Sequence, residues 1–163
     1  MAWFFALVFF ARLAAASSPD RILVTATRSE TPIERIDSSV TVLDFEFIAK
    51  QQIRDISELL RAVPGFAMVQ TGSRGGPTSL FVRGGESDYN LILVDGIQIN
   101  RSGGTFDFSG LTLDNVERIE VIRGPQSSLY GSDAISSVIN IISKRGKGAP
   151  KADLTVMGGS YFT

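Results

Sequence analysis

The 163-residue chain contains no cysteine and no histidine. The first absence removes disulfides, thiolate metal sites and cysteine nucleophiles. The second removes imidazole metal ligands and any Ser/His/Asp triad, because no other side chain has an unperturbed pKa near neutrality. Most hydrolytic and metal chemistry is thereby excluded, and neither an enzyme, a cofactor nor a metal site is expected. Proline is scarce at 6 residues, whereas glycine reaches 16. Neither sign of charge dominates: 16 Lys+Arg stand against 17 Asp+Glu, a formal net charge of −1. A nucleic-acid binder needs a basic excess for its phosphate contacts, so nucleic acid is not an expected partner. What is present is 44% hydrophobic and 20% charged, a globular rather than disordered composition and long enough for one domain. The composition leans to binding.

One long apolar run stands at the start, Ala2 to Ala11. At 1.5 Å per residue it is too short to span a bilayer of about 30 Å. Its length suits the apolar region of a secretory signal, and Ala14-x-Ala16 offers the small residues that a signal peptidase needs. The competing reading is a buried N-terminal helix, but no polar face breaks the run. We expect an export signal over residues 1–16 and a mature chain beginning near Ser17. Export without cysteine fits an envelope protein of a Gram-negative bacterium.

Asp20 to Ala26 (DRILVTA) is a short β-branched stretch followed by polar residues, which reads as an extended arm over 17–31. The other reading is a first strand of the sheet that follows. Ser39 to Leu43 alternates as a strand, and Asp44 can cap a helix through Phe45, Ile48 and Ala49. Asp55 with Glu58 resembles a capping box, ahead of Ile56, Leu59, Leu60 and Val63 at helical spacing, and Pro64-Gly65 stops that helix. Short strands then alternate with glycine-rich loops. Leu91–Val94 and Ile97–Ile99 flank Asp95-Gly96, the dipeptide of a two-residue hairpin. Val116 to Arg123 alternates, with Ile119 and Val121 on one face, and Pro125 to Gly131 is a turn or a single helical turn. Val138 to Ile142 is a continuous apolar run suited to a buried strand. The predicted class is α+β, a small mixed sheet with short helices over residues 32–145. Residues 146–163 read as a basic linker and an alternating strand, Asp153 to Thr163, without a partner in the sequence.

Three segments carry a family resemblance: Pro64–Gly84 (PGFAMVQTGSRGGPTSLFVRG), Leu91–Asn100 (LILVDGIQIN) and Val116–Gly146, with Arg123 to Ile142 the most specific. They resemble the plug domain of TonB-dependent outer-membrane receptors. Within that family the arm, the two Arg-Gly strands and the Val-Asp-Gly hairpin are most similar to those of the cobalamin (vitamin B12) receptors, although Arg21 stands where Thr is usual. The resemblance implies a barrel of about 22 strands filled by this plug, the last strand of the sequence being the first of that barrel. It implies uptake of cobalamin, or of a ferric siderophore or haem. It places the plug in the barrel lumen in the outer membrane, with the arm in the periplasm. The arm then corresponds to the family's TonB box, and Asp20, Ile22, Leu23, Val24, Thr25 and Ala26 are the expected contacts to TonB by strand addition.

For the ligand, the resemblance points to Pro77, Ser79 and Glu86, and in the third loop to Gly104 and Thr105. Plain turn chemistry explains such glycine-rich loops equally well without the family. Gly72-x-x-Gly75-Gly76 is no phosphate loop, since no Gly-Lys-Ser/Thr follows. Arg83 and Arg123 each end an apolar strand and precede glycine, and with Glu120 they are expected to lock the plug to acidic residues of the barrel wall. The bland reading makes them solvated strand-end charges, exposed or only locally bonded within this chain. A stand-alone secreted binding module is the alternative from another class.

Overall fold

The structure is a computed structural model that describes residues 38–73 and 75–146, with the backbone alone at Ile22–Leu23 and Thr31–Pro32. The export signal expected over 1–16 and the strand expected over 153–163 lie outside the described residues, as do Asp20, Val24, Thr25 and Ala26 of the arm. Strand β1 (Ile22–Leu23) pairs antiparallel with β2 (Thr31–Pro32) in a two-stranded sheet of its own.

Strand β3 (Ser39–Asp44) leads directly into α1 (Phe45–Gln51). Asp44 ends one and starts the other because its carboxylate accepts from the Phe47 N–H at 2.9 Å, filling one of the donors a helix start leaves open. The second helix, α2 (Ile56–Leu60), starts differently from expectation. Asp55 is its N-cap residue, but the side chain makes no capping bond. Its backbone instead forms an antiparallel bridge to Thr112, flanked by Ile56 N–H to the Leu111 carbonyl at 3.1 Å and Leu113 N–H to the Arg54 carbonyl at 2.8 Å. A tertiary pairing therefore positions this start. The helix also ends at Leu60, with Val63 buried in the turn that follows.

Strands β4 (Phe66–Gln70) and β5 (Thr78–Val82) form a separate antiparallel hairpin. A 3₁₀ turn, Ser87–Tyr89, precedes β6 (Asn90–Val94), which turns through Asp95-Gly96 into β7 (Ile97–Gln98). Positive φ at both turn residues, 50° and 83°, is the two-residue hairpin geometry that the dipeptide predicts. Strand β8 (Val116–Arg123), the single turn α3 (Ser127–Tyr130) and β9 (Ser137–Ser143) complete the fold. The main sheet has the order β3-β8-β9-β6-β7, antiparallel except for the parallel pair β6 and β9. This is the α+β mixed sheet with short helices that the sequence predicts.

One face packs under both longer helices and the β4–β5 hairpin, in a core that joins Ile56, Leu59 and Leu60 to Leu80, Ile119, Val121 and Ile139. The other carries a smaller cluster of Leu91, Leu93, Ala134 and Val138 beside Tyr130. Both faces of β8 are covered: Glu120 and Ile122 are as fully buried as Ile119 and Val121. Alternation in the sequence thus marks one of two buried faces.

Candidate ligand-facing loops and their anchors

Three connections form the candidate surface. The first runs between β4 and β5, the second from β5 to the 3₁₀ turn, and the third from β7 to β8. The first two leave opposite ends of β5, and the third runs back from one end to the other. At its far end, the Asp107 carboxylate accepts from the N–H of Thr78 at 2.9 Å and of Ser109 at 3.0 Å. The Phe108 N–H reaches the Thr78 carbonyl at 3.0 Å, and the buried Phe108 ring meets Phe106 edge to face. The Thr78 bond, then the Ser109 bond, holds the Asp107 carboxyl below the usual carboxylate range. Asp95, in the β6–β7 turn, is lowered likewise by the Ser143 hydroxyl at 2.6 Å and then the Ser143 N–H at 2.9 Å.

At its near end the third loop is closed by Gly104 N–H to the Arg101 carbonyl at 3.0 Å and Arg101 N–H to the Thr105 carbonyl at 2.9 Å. Asn100 fastens this end. Its side-chain carbonyl accepts from Ile92 N–H at 2.7 Å, and its amide donates to the carbonyls of Asn90 at 2.9 Å and Gly104 at 2.6 Å.

The expected ligand residues fall on this surface unevenly. Pro77, Glu86 and Thr105 are exposed, and Ser79 is half-buried within β5. Gly104, the fifth expected ligand residue, is buried in this chain. A Cβ there would lie 2.6 Å from the Asp88 carbonyl oxygen, so glycine allows the third loop to pack on the 3₁₀ turn. Gly76 is similar, since a Cβ would collide with the Thr71 carbonyl. Packing through Gly104 and Asp88 brings together the segments that hold Glu86 and Thr105, while Pro77 and Ser79 belong to the other end of the loop system. An open groove of about 190 Å³ lies beside the first loop, lined by Asp55, Glu58, Arg61, Gln70, Thr78 and Ser109 among others. Enclosing a drug-sized ligand takes roughly 300–1,000 Å³.

The three lock residues separate. Arg83 is exposed. Arg123 donates to the Pro64 carbonyl at 3.1 Å and to the Thr41 hydroxyl at 2.9 Å, residues 59 and 82 positions away, and its buried Nε has no acceptor among the described residues. The expectation of purely exposed or local contacts thus fails for Arg123, which ties β8 to β3 and to the turn after α2. Glu120 is wholly buried, and Arg118 Nε lies 2.9 Å from its carboxylate. Its side chain is covered within the chain and meets Arg118, which Glu117 shares at 3.2 Å, so it is not presented outward to a surrounding wall.

The anchors Asn90 and Asp107, the Ser137 hydroxyl that donates to the Asn90 side-chain carbonyl at 2.8 Å, and the role of Asn100 were not legible in the sequence. The signal available was an amide where an alternating run meets a glycine-rich loop, which does not reveal its partners.

Comparison with known proteins is consistent across sequence and structure. Residues 32–138 match the family model described as the TonB-dependent receptor plug domain. The vitamin B12 transporter BtuB of Vibrio vulnificus is 38% identical over 141 residues, which cover 86% of this chain and 23% of the transporter. The siderophore receptor PirA of Acinetobacter baumannii superposes with a TM-score of 0.54 at 35% identity, over 66% of this chain and 17% of PirA. The ferripyoverdine receptor of the outer membrane of Pseudomonas aeruginosa gives a TM-score of 0.65 at 22% identity, over 78% of this chain and 17% of that receptor, and shows the fold alone. The chain thus spans under a quarter of the length of these relatives.

Proposed function

The chain belongs to the family of TonB-dependent receptor plug domains, and on that premise we propose that it is the plug of an outer-membrane receptor that takes up cobalamin. The family is one of receptors and not of enzymes. The observation that carries the cobalamin reading is the 38% identity over 141 residues to a vitamin B12 transporter. A second reading, uptake of a ferric siderophore, is favoured by the 35% identity to the siderophore receptor PirA. In either case the proposed ligand contacts are Glu86, Thr105 and the backbone at Gly104 at one end of the loop system, and Pro77 and Ser79 at the other. The arm over residues 20–26 faces the periplasm and adds as a strand to TonB, where main-chain hydrogen bonds supply the affinity. Arg83 and Arg123 grip acidic residues of the barrel wall, a task that guanidinium suits because it keeps its charge when partly desolvated. Glu120 drops out of that set, being buried and paired with Arg118.

The test is titration of the complete receptor with cyanocobalamin and, separately, with ferric siderophores. Saturable cyanocobalamin binding is expected. Binding of a ferric siderophore with none of cyanocobalamin overturns the ligand and leaves the plug role standing. The arm has its own test, Leu23→Pro, which removes a main-chain donor and blocks strand addition. Uptake is expected to stop while ligand binding persists; equal loss of both makes the segment structural.

A further inference from the structure

We infer that Asn100 is the positioning residue that joins two of the ligand-facing loops, the one before β6 and the third loop, into a single unit. The inference rests on the reading that these loops face the ligand. Its starting point is a short strand. The β6–β7 pairing covers only Leu93 with Gln98 and Val94 with Ile97, continued by Ile99 N–H to the Ile92 carbonyl at 3.0 Å. Further along, the N–H of Ile92 and the carbonyl of Asn90 face the side from which the chain has turned away. A carboxamide has the same donor and acceptor as a peptide group, and Asn100 supplies both: its carbonyl takes the Ile92 N–H at 2.7 Å and its amide meets the Asn90 carbonyl at 2.9 Å. The side chain thus prolongs the ladder while the main chain departs into the loop. Its amide also reaches the Gly104 carbonyl at 2.6 Å, so the same group holds the loop it releases.

The second loop is held on the same strand residue. Asn90 is 1% exposed. Its amide lies within hydrogen-bond reach of the carbonyls of Leu80 at 3.1 Å, Glu86 at 3.3 Å and Ser87 at 3.3 Å, while its side-chain carbonyl accepts from the Ser137 hydroxyl at 2.8 Å. Gly104 then lies against Asp88 with no room for a Cβ. Asn90 thus holds the third loop through its main-chain carbonyl and the second through its side chain, and the two loops touch where Gly104 meets Asp88, so a ligand that engages Thr105 acts on the Glu86 segment through Asn100 and Asn90.

Asn100→Asp tests this with almost no change of shape. The aspartate keeps the acceptor for Ile92 N–H but loses both donors, which leaves a carboxylate facing the Asn90 and Gly104 carbonyls. In the complete receptor, cyanocobalamin affinity is expected to fall about tenfold, the scale of losing one to two such bonds. Amide exchange is expected to quicken in residues 84–88 and 101–105 together. Ile139→Ala, which loosens β6 from its other edge through the Ile92–Ile139 pair with β9, is expected to leave affinity within about twofold. Gly104→Ala breaks the unit from the loop side, so combined with Asn100→Asp it is expected to add little further loss. The inference is overturned if Asn100→Asp binds and exchanges like wild type, if only one loop loosens, or if Ile139→Ala loses as much affinity. Failure of the wild-type receptor to bind cyanocobalamin counts against the ligand reading alone, since the exchange measurement still decides whether the loops move as one.

Discussion

The centre of the main sheet and the near end of the third loop, residues 100–105, are held by different means. Strands β8 and β9 are buried on both faces, and Ile119, Ile122, Val138 and Ile139 have no measurable exposure. That end of the loop is fixed by a handful of directional contacts, at Asn100 and at Gly104, whereas the far end adds Phe108 and Leu113 to the core beside the Asp107 bonds. Apolar burial is non-directional and sums over many atoms, so it resists local change. A few hydrogen bonds to main-chain groups define one loop geometry, and each contributes only about 0.5–1.5 kcal/mol net. Such contacts define one geometry but yield to change more readily than the buried platform does.

The strongest way to break this contrast is at the platform. Leu59→Ala, at a side chain with 0% exposure, is expected to cost about 2–5 kcal/mol. Chemical denaturation of the chain measures it, and a cost under about 1 kcal/mol shows the core to be as loosely held as the loops.

Next come the two arginines, which sharpen the comparison because they share a local sequence pattern. Arg123→Ala removes bonds to Pro64 and Thr41 that join three elements, with an expected loss of about 1–2 kcal/mol in the chain by itself. Arg83→Ala, at an exposed site, is expected to stay within about 0.5 kcal/mol. Equal effects would show that the Arg123 contacts carry no stability.

The smallest effect concerns pH. The folded-state pKa of Asp107 is depressed by the N–H groups of Thr78 and Ser109. A depressed carboxylate contributes stability that is present above the unfolded pKa and is lost as pH falls through the lower folded one. Amide exchange at Thr78 and Ser109 is therefore expected to speed up, relative to the intrinsic rate, only below the ordinary carboxylate range, and β8–β9 amides to stay protected there. Asp107→Asn is expected to remove that pH step; if the step persists, another group is responsible.

Much of the scaffold was legible along the chain. The Asp44 cap, the Asp95-Gly96 turn and the buried run Val138 to Ile142 each depend on neighbours within a few residues, and each forms as predicted. Asp55 shows where this stops. Its spacing to Glu58 promises a capping box, yet a bridge to Thr112 decides its conformation. Glu120 fails for the same kind of reason: alternation places it opposite the apolar face, but not whether that opposite face is covered.

Composition and periodicity were enough to exclude imidazole and thiol chemistry and to predict an α+β domain, because these are properties of residue type and local order; the plug family came from the resemblance of three segments to known receptors. Which polar side chains matter was decided only in three dimensions. Asn90 and Asn100 are ten residues apart, Asp107 and Thr78 are 29 apart, and Arg123 and Thr41 are 82 apart. A hydrogen bond requires its two groups within about 3 Å, and between segments so far apart in the chain only the fold brings donor and acceptor to that distance.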